Sequence, residues 1–419
     1  MARTKPKRLG SRFASALPPA PVLAKRAAVA AIALGLAIVV GGQSLAVQAR
    51  RASPEAAMRF GSKPEARLRA AMLAGFQDQK RLADPRIARD ARSVLADQPL
   101  DAPALRMLAF HARQSGRREE ALRFARLAEK VSRRETLTQI LLAEEAARDG
   151  NARAALGHID MALRATNQGR SVLYSVLGKV MADPQIRDEM IGYVHRRTPW
   201  LAEFLDHSVR ESPASAANTA RLLIAARAER QPSLIEPIAP MLLGALVDQR
   251  EFGLARDFYR RVRRGAPDLT ADASMTRATF NPRFGPFSWE PVEGAASGAS
   301  VDFAADGEAT VTAFASSDEK DVALRRTLRL PPGAYRLFET RRAAAGDASS
   351  RMTWRMSCLG KAVEPIWDGP DGSLEYVAKG IPGPVVPASC PVQLLELRAN
   401  GGSGLEGVEV TISGFDLRR

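Results

Sequence analysis

Histidine and cysteine are almost missing from this 419-residue chain, which has four of the first and two of the second. The histidines, His111, His158, His195 and His207, all fall in stretches of helical periodicity, and none is paired at metal-ligand spacing with another. That pattern excludes the common imidazole-rich metal centres, and two cysteines cannot supply a four-thiolate zinc or iron–sulfur site. Catalytic signatures are scarce too: there is no GxSxG elbow, no HExxH helix and no GxxxxGK[ST] phosphate loop. Acidic pairs such as Glu119–Glu120 and Glu144–Glu145 read as solvated helix faces. The sequence therefore predicts a protein that is not an enzyme and carries no cofactor.

Acidic charge is absent from residues 1–51, which hold nine lysines or arginines. Since the whole chain carries a formal +15, removing that segment leaves +6 for the remaining 368 residues. From Phe280 onward 15 basic residues face 18 acidic ones, about −3, which puts the middle near +9. A nucleic-acid binder concentrates its charge on one folded face, so this spread predicts no nucleic-acid partner.

The basic N-terminus has another explanation. Residues 27–47, Ala27 to Val47, form a 21-residue run without charge, interrupted only by Gln43 and Ser44. At about 1.5 Å per residue it covers roughly 30 Å, the thickness of a bilayer core. Residues 1–26 hold seven of the basic residues, so the positive-inside tendency predicts a cytoplasmic tail, one transmembrane helix over 27–47 and the bulk of the chain outside. The competing reading is a cleaved leader with Val47 and Ala49 before the cut, disfavoured by the long tail and by Arg50 and Arg51 just after it.

Downstream the texture changes once. Residues 54–270 are rich in Ala, Leu, Arg and Glu with apolar residues at helical spacing, broken at Gly and Pro. Residues 280–419 alternate apolar and polar in runs such as ATVTAFA (309–315), MTWRMSCLG (352–360), QLLELRA (393–399) and GVEVTISGFDL (407–417), separated by Gly, Pro, Asp and Ser. The expected fold is multidomain: a transmembrane helix, an all-α region, then an all-β sandwich of jelly-roll type.

Within the helical region a 34-residue echo is visible. Gly116, Ala121 and Ala128 are matched by Gly150, Ala155 and Ala162, and Leu108 and Leu122 by Leu142 and Leu156. Ala255, with Phe258, Tyr259 and Pro267 after it, continues the pattern less regularly. This resembles the tetratricopeptide repeat, a pair of antiparallel helices with a 34-residue period, although Leu105 and Gln139 stand where its tryptophan is expected. The resemblance implies that the alanines pack helix on helix, that Gly116 and Gly150 cap the first helix of each pair, and that a curved superhelix offers a groove to a protein partner.

In the β region Cys358 and Cys390 are expected to pair in an oxidising compartment, worth about 3–4 kcal/mol by chain entropy, with two buried thiols as the alternative. Trp367, Tyr376 and Trp289 are the candidate sugar-stacking rings, and Asp368 and Asp371 the candidate hydroxyl acceptors or, with Glu375, calcium ligands. Trp354, in an alternating strand, reads as core, and Trp289, close to the domain junction, reads as packing too, which leaves Trp367 the foremost candidate. The layout resembles that of anchored repeat proteins of the bacterial envelope and exopolysaccharide assembly, implying a periplasmic scaffold on the inner membrane with a protein partner and a polysaccharide. An envelope polysaccharide enzyme using the repeats as a targeting arm, and a purely structural assembly protein, are the alternatives.

Overall fold

The computed structural model describes residues 64–166, 169–211, 213–343, 351–360, 362–369, 380–402 and 407–419. The basic tail and the apolar run at 27–47 lie outside the described residues. Within them no helix is long and apolar enough to cross a membrane. Two compact units divide the chain, one ending at Leu142 and the other running from Ala143 to Arg419.

The first unit contains α1 (Pro64–Gln77), α2 (Pro85–Asp97), α3 (Ala102–Gln114), α4 (Arg118–Val131) and the first half of α5 (Thr136–Arg148). Local chemistry sets the starts of α2 and α3: Asp84 and Asp101 accept from the N–H groups of Arg86 and Ala104 at 2.8 and 2.6 Å, each with a proline in the first turn. The helices alternate in direction. Gln98 reaches Glu65 at one end, while Gln114 reaches Gln79 and His111 meets the carbonyl of Leu82 at the other. Ile87, Val94, Met107, Leu108 and Leu141 build the core, each fully buried apolar side chain stabilising by about 1.5–3 kcal/mol. Ala121, Ala125 and Ala128 are buried along one face of α4.

The second unit continues with α6 (Ala152–Ala165), α7 (Arg170–Val180), α8 (Pro184–His195), α9 (Leu201–Arg210), α10 (Ala216–Ala225), α11 (Pro232–Ile235), α12 (Ala239–Asp248) and α13 (Phe252–Val262). Polar links join several of these helices to chain about thirty to forty residues away. Trp200 Nε1 donates to Asp160 at 2.8 Å, Tyr174 Oη to Glu203 at 3.0 Å, and Arg153 pairs with Glu189 at 3.1 Å. Ala155, Ala162 and Ala255 are buried.

Gly116 and Gly150 adopt the left-handed conformation, with φ of 74° and 71°. Each closes its helix with the same two bonds: Gly116 N–H to Arg113 O and Arg117 N–H to Ala112 O, then Gly150 N–H to Ala147 O and Asn151 N–H to Ala146 O. This is the Schellman closure, in which orphan carbonyls are satisfied by a left-handed residue. Arg250, at φ 62°, closes α12 in the same way, with its own N–H to Val247 O and that of Glu251 to Leu246 O.

After α13 an irregular stretch and a 3₁₀ segment, Pro282–Phe287, lead to ten strands: β1 (Glu290–Pro291), β2 (Ser297–Phe303), β3 (Ala309–Ala315), β4 (Lys320–Leu328), β5 (Gly333–Ala343), β6 (Met352–Leu359), β7 (Val363–Asp368), β8 (Ile381–Val386), β9 (Gln393–Asn400) and β10 (Val408–Arg418). They form two five-stranded antiparallel sheets, ordered β1-β4-β9-β6-β7 and β2-β3-β10-β5-β8. The inward residues of both, including Val311, Leu324, Leu337, Trp354, Leu397 and Ile412, share one core. Edge strands β7 and β8 carry Pro365, Pro382 and Pro384, which suit positions with no further ladder to feed.

The outer face of the first sheet is covered over part of its area, while Arg325, Arg355 and Arg398 on the same face stay accessible to solvent. Leu359, Val392 and Leu394, on its outer side, belong to the core of the preceding helices together with Phe284 and Phe287. Gly285, at φ 52°, lets this contact form: a Cβ there would lie 2.5 Å from the carbonyl oxygen of Pro240 on α12. Cys358 in β6 is disulfide-bonded to Cys390, which precedes β9.

Three stability outcomes follow. Gly150→Ala lowers stability by about 1–2 kcal/mol because a Cβ strains the left-handed cap, although it would meet nothing within 4 Å. Gly157→Ala, inside α6 with equally open surroundings, raises it by about 0.5–1 kcal/mol. Urea unfolding distinguishes the signs. Cys390→Ser costs about 3–4 kcal/mol for the 32-residue separation and abolishes the electrophoretic shift seen on reduction.

Candidate functional site

Among the described residues a cleft of about 300 Å³ lies on the outer side of the first sheet. Strand alternation produces one wall: Arg325 and Thr327 of β4 point away from the sandwich core because Leu324 and Leu328 point into it. Leu394 of β9, Leu359 of β6 and Val363 of edge strand β7 extend that wall. Gly244, Val247, Asp248 and Arg250, from the last turns and cap of α12, form the other, with Pro286 and Glu290 between them. The left-handed cap at Arg250 thus fixes where its side chain leaves the backbone. Glu290 accepts from Arg325 at 3.1 Å.

The lining combines an apolar floor with three arginines, Arg250, Arg325 and the buried Arg326, and two carboxylates, Asp248 and Glu290. Such a surface orients a ligand that presents both hydroxyl or carboxylate groups and an apolar face, and its volume is at the small end of ligand pockets. Among the described residues no group of three or more His, Cys, Asp or Glu is arranged to hold a metal ion. No hydroxyl or thiol nucleophile with an attendant base lines the cleft.

One hydroxyl–imidazole pair does exist elsewhere, where Ser175 Oγ lies 3.0 Å from His207 Nε2. Burial, with the Glu203 carboxylate adding to it, pushes the neighbouring Tyr174 phenol well above its ordinary value. Ser175 and His207 sit mid-helix, where backbone N–H groups are already engaged in helical bonds, so none is turned toward the pair as an oxyanion donor. The bond ties α7 to α9.

Of the sugar-stacking residues expected from the sequence, Trp289 and Trp367 lie among the described residues. Trp289 is 2% exposed and wedged among Phe280, Trp354 and Phe415, with its Nε1 donating to Ser274 O, which leaves no free face for a sugar. It is a core residue. Trp354 is fully buried, as its alternating strand predicts. Trp367 is opposite Met356 across β6 and packs, half-buried, against the sandwich core. Asp368 accepts from Arg355 Nε at 2.7 Å. Asp371, Glu375 and Tyr376 lie outside the described residues, and with them the expected calcium loop. The sequence GSGLEG at 402–407 has the spacing of a dinucleotide fingerprint, but in chain order it falls between β9 and β10, with no helix after it.

Sequence reading missed two buried charge arrangements. Arg326 is 1% exposed: its Nε donates to Phe287 O at 3.0 Å, its Nη2 to Leu269 O at 2.7 Å, and its guanidinium lies 5.6 Å from the centre of the Trp289 ring. Burial lowers its pKa to about 10. Inside the sandwich, Arg341 donates to Glu339 at 2.6 Å and to Met352 O at 2.6 Å, while Trp354 Nε1 donates to the other Glu339 oxygen at 2.7 Å. Burial pushes the Glu339 carboxyl up, opposed by the Arg341 charge and the indole N–H. The only sequence signal was polar residues at inward positions of β4 and β5.

Removing one member of the Glu339–Arg341 pair strands the other. Arg341→Met is expected to cost about 3–5 kcal/mol, whereas the double variant Glu339→Leu with Arg341→Met recovers most of that loss. Denaturant midpoints of the two single variants and the double variant check it, and a double variant no better than either single one would refute the coupling.

No family model matches the chain, and the curated proteins contain no match to it.

Proposed function

We propose that this chain is a non-enzymatic scaffold of the bacterial envelope, held in the inner membrane by residues 27–47 and exposing its folded part to the periplasm. Its helices form a tetratricopeptide-like array that receives a protein partner, and the cleft beside the β region receives a carboxylate-bearing polysaccharide segment.

The observation that carries the reading is the recurrence of one helix-closing geometry at Gly116, Gly150 and Arg250, combined with polar links that span about one repeat length. Serial helix pairs with neighbour-to-neighbour contacts are the physical form of a repeat array, whose extended surface serves binding. The disulfide suits an oxidising compartment. The order β3-β10-β5-β8 against β4-β9-β6-β7 has the strand alternation of a jelly roll, an architecture used by lectin domains among many others. Arg250 and Arg325 offer bidentate donors to a uronate carboxylate, and Asp248 and Glu290 accept from sugar hydroxyls.

The test uses the full chain in detergent. Retention on immobilised polygalacturonate is expected, with Arg250→Glu weakening it at least about tenfold and Trp367→Ala leaving it nearly unchanged. Passage of the wild-type chain without retention would remove the glycan from the reading. For the array, photo-crosslinkers on the exposed faces of α4 and α6 in cells are expected to capture one recurrent envelope protein, and absence of any adduct contradicts the scaffold.

A further inference from the structure

One end of the first helical unit is built differently from the other. The chain enters α1 at Pro64, and the Gln98–Glu65 bond places the turn between α2 and α3 at that same end. The pairing of Arg106 with Glu135 brings the residues after α4 there as well. Three features therefore share this end: the point where the N-terminal segment joins, the Pro99–Leu100 turn, and the stretch from Lys130 to Arg134.

Leu100 is 77% exposed, more than any other exposed large apolar side chain among the described residues, and Leu127, one turn before the end of α4, is 46% exposed. Beside them Lys130, Arg133 and Arg134 are exposed. None of these three side chains takes part in an ion pair or side-chain hydrogen bond among the described residues. Of the nearby acids, Asp101 caps α3, Glu135 holds Arg106 and Glu65 accepts from Gln98, while Asp97 is exposed, which leaves the three cations in excess. The opposite end, around Asp78, Asp84, Glu119 and Glu120, mixes both signs.

An exposed leucine turn flanked by unpaired cations fits an interface with an apolar interior and an anionic surface. Sixteen residues separate Val47 from Pro64, so the end in question lies no more than about 60 Å along the chain from the apolar run. We infer that this end of the first unit docks on the bilayer, with Leu100 dipping into the headgroup boundary and Lys130, Arg133 and Arg134 contacting anionic lipid. The inference rests on the anchored reading proposed above. Lys130 to Arg134 lie far enough along the chain from residues 27–47 to fall outside the loop charges that set orientation.

The test reconstitutes the full chain in vesicles. Because Cys358 and Cys390 are paired, Leu100→Cys introduces a single thiol for an environment-sensitive fluorophore, and Ser115→Cys, at the opposite end, gives the control. Flotation with the vesicles after an alkaline wash is the first readout, and a chain left in the supernatant overturns both the anchored reading and this inference.

With anchoring intact, the Leu100→Cys label is expected to shift to the blue and be quenched by bromolipid in phosphatidylglycerol vesicles. It should not respond in phosphatidylcholine vesicles or at high salt, and the Ser115→Cys label should not respond in any of them. Reversal of Lys130, Arg133 and Arg134 to Glu should lower the docked-to-undocked ratio by on the order of a hundredfold, about fivefold or more for each cation. An anchored chain whose two labels behave alike in both lipids overturns the docking alone. So does a blue shift produced by soluble polygalacturonate and not by lipid, which would make this end a glycan contact.

Discussion

Covering the apolar part of the first sheet's outer face is the constraint on which the second unit depends. Parallel sheets are usually buried on both sides, whereas an antiparallel sandwich normally leaves its outer faces to water. Here Leu359, Val392 and Leu394 are apolar on the outside, and they are covered by the core of the helices and the 3₁₀ segment at 282–287. Gly285 permits that segment to approach α12, and Arg326 secures the connecting chain from the sandwich side through the carbonyls of Leu269 and Phe287. A charge held at 1% exposure is costly, as its lowered pKa records, and the two carbonyls and the Trp289 face offset the cost.

The cleft is a consequence of this joint. Where α12 ends, its left-handed cap turns the chain away from the sheet, and Gly244 leaves the wall without a side chain to fill the gap. What remains is lined from both the helices and the strands, with Arg250 on one side facing the Glu290–Arg325 pair on the other. A ligand there would touch both regions, so binding would stabilise their junction by mass action.

Much of the architecture was legible in the sequence because it rests on local rules. The change from helical to alternating periodicity near 270–285 matches helices that end at Val262 and strands that begin at Glu290. The glycines at 116 and 150 have the left-handed caps their position implied, and four of the alternating runs became β3, β6, β9 and β10 almost to the residue. Strands β2, β7 and β8 were not legible: SGASVDF is small and polar, and the other two contain prolines, so their pairing is decided by edge position and not by propensity. The site was least legible. Trp289 beside the domain junction reads as packing as well as a candidate ring, and its partners combine the nearby Phe280 with Trp354 and Phe415, which are distant in sequence. The cleft joins residues from Gly244 to Leu394, and no spacing rule connects them.

The central claim is that the last helices and the β region form one cooperative body joined by a partly covered sheet face, from which the cleft arises. Native-state hydrogen exchange on the full chain tests it most directly. The account predicts that the amides of α12, the 282–287 segment, β4 and β9 open together, with one common free energy and one common response to denaturant. Sandwich strands that retain full protection while α12 and the 282–287 segment exchange freely would contradict it.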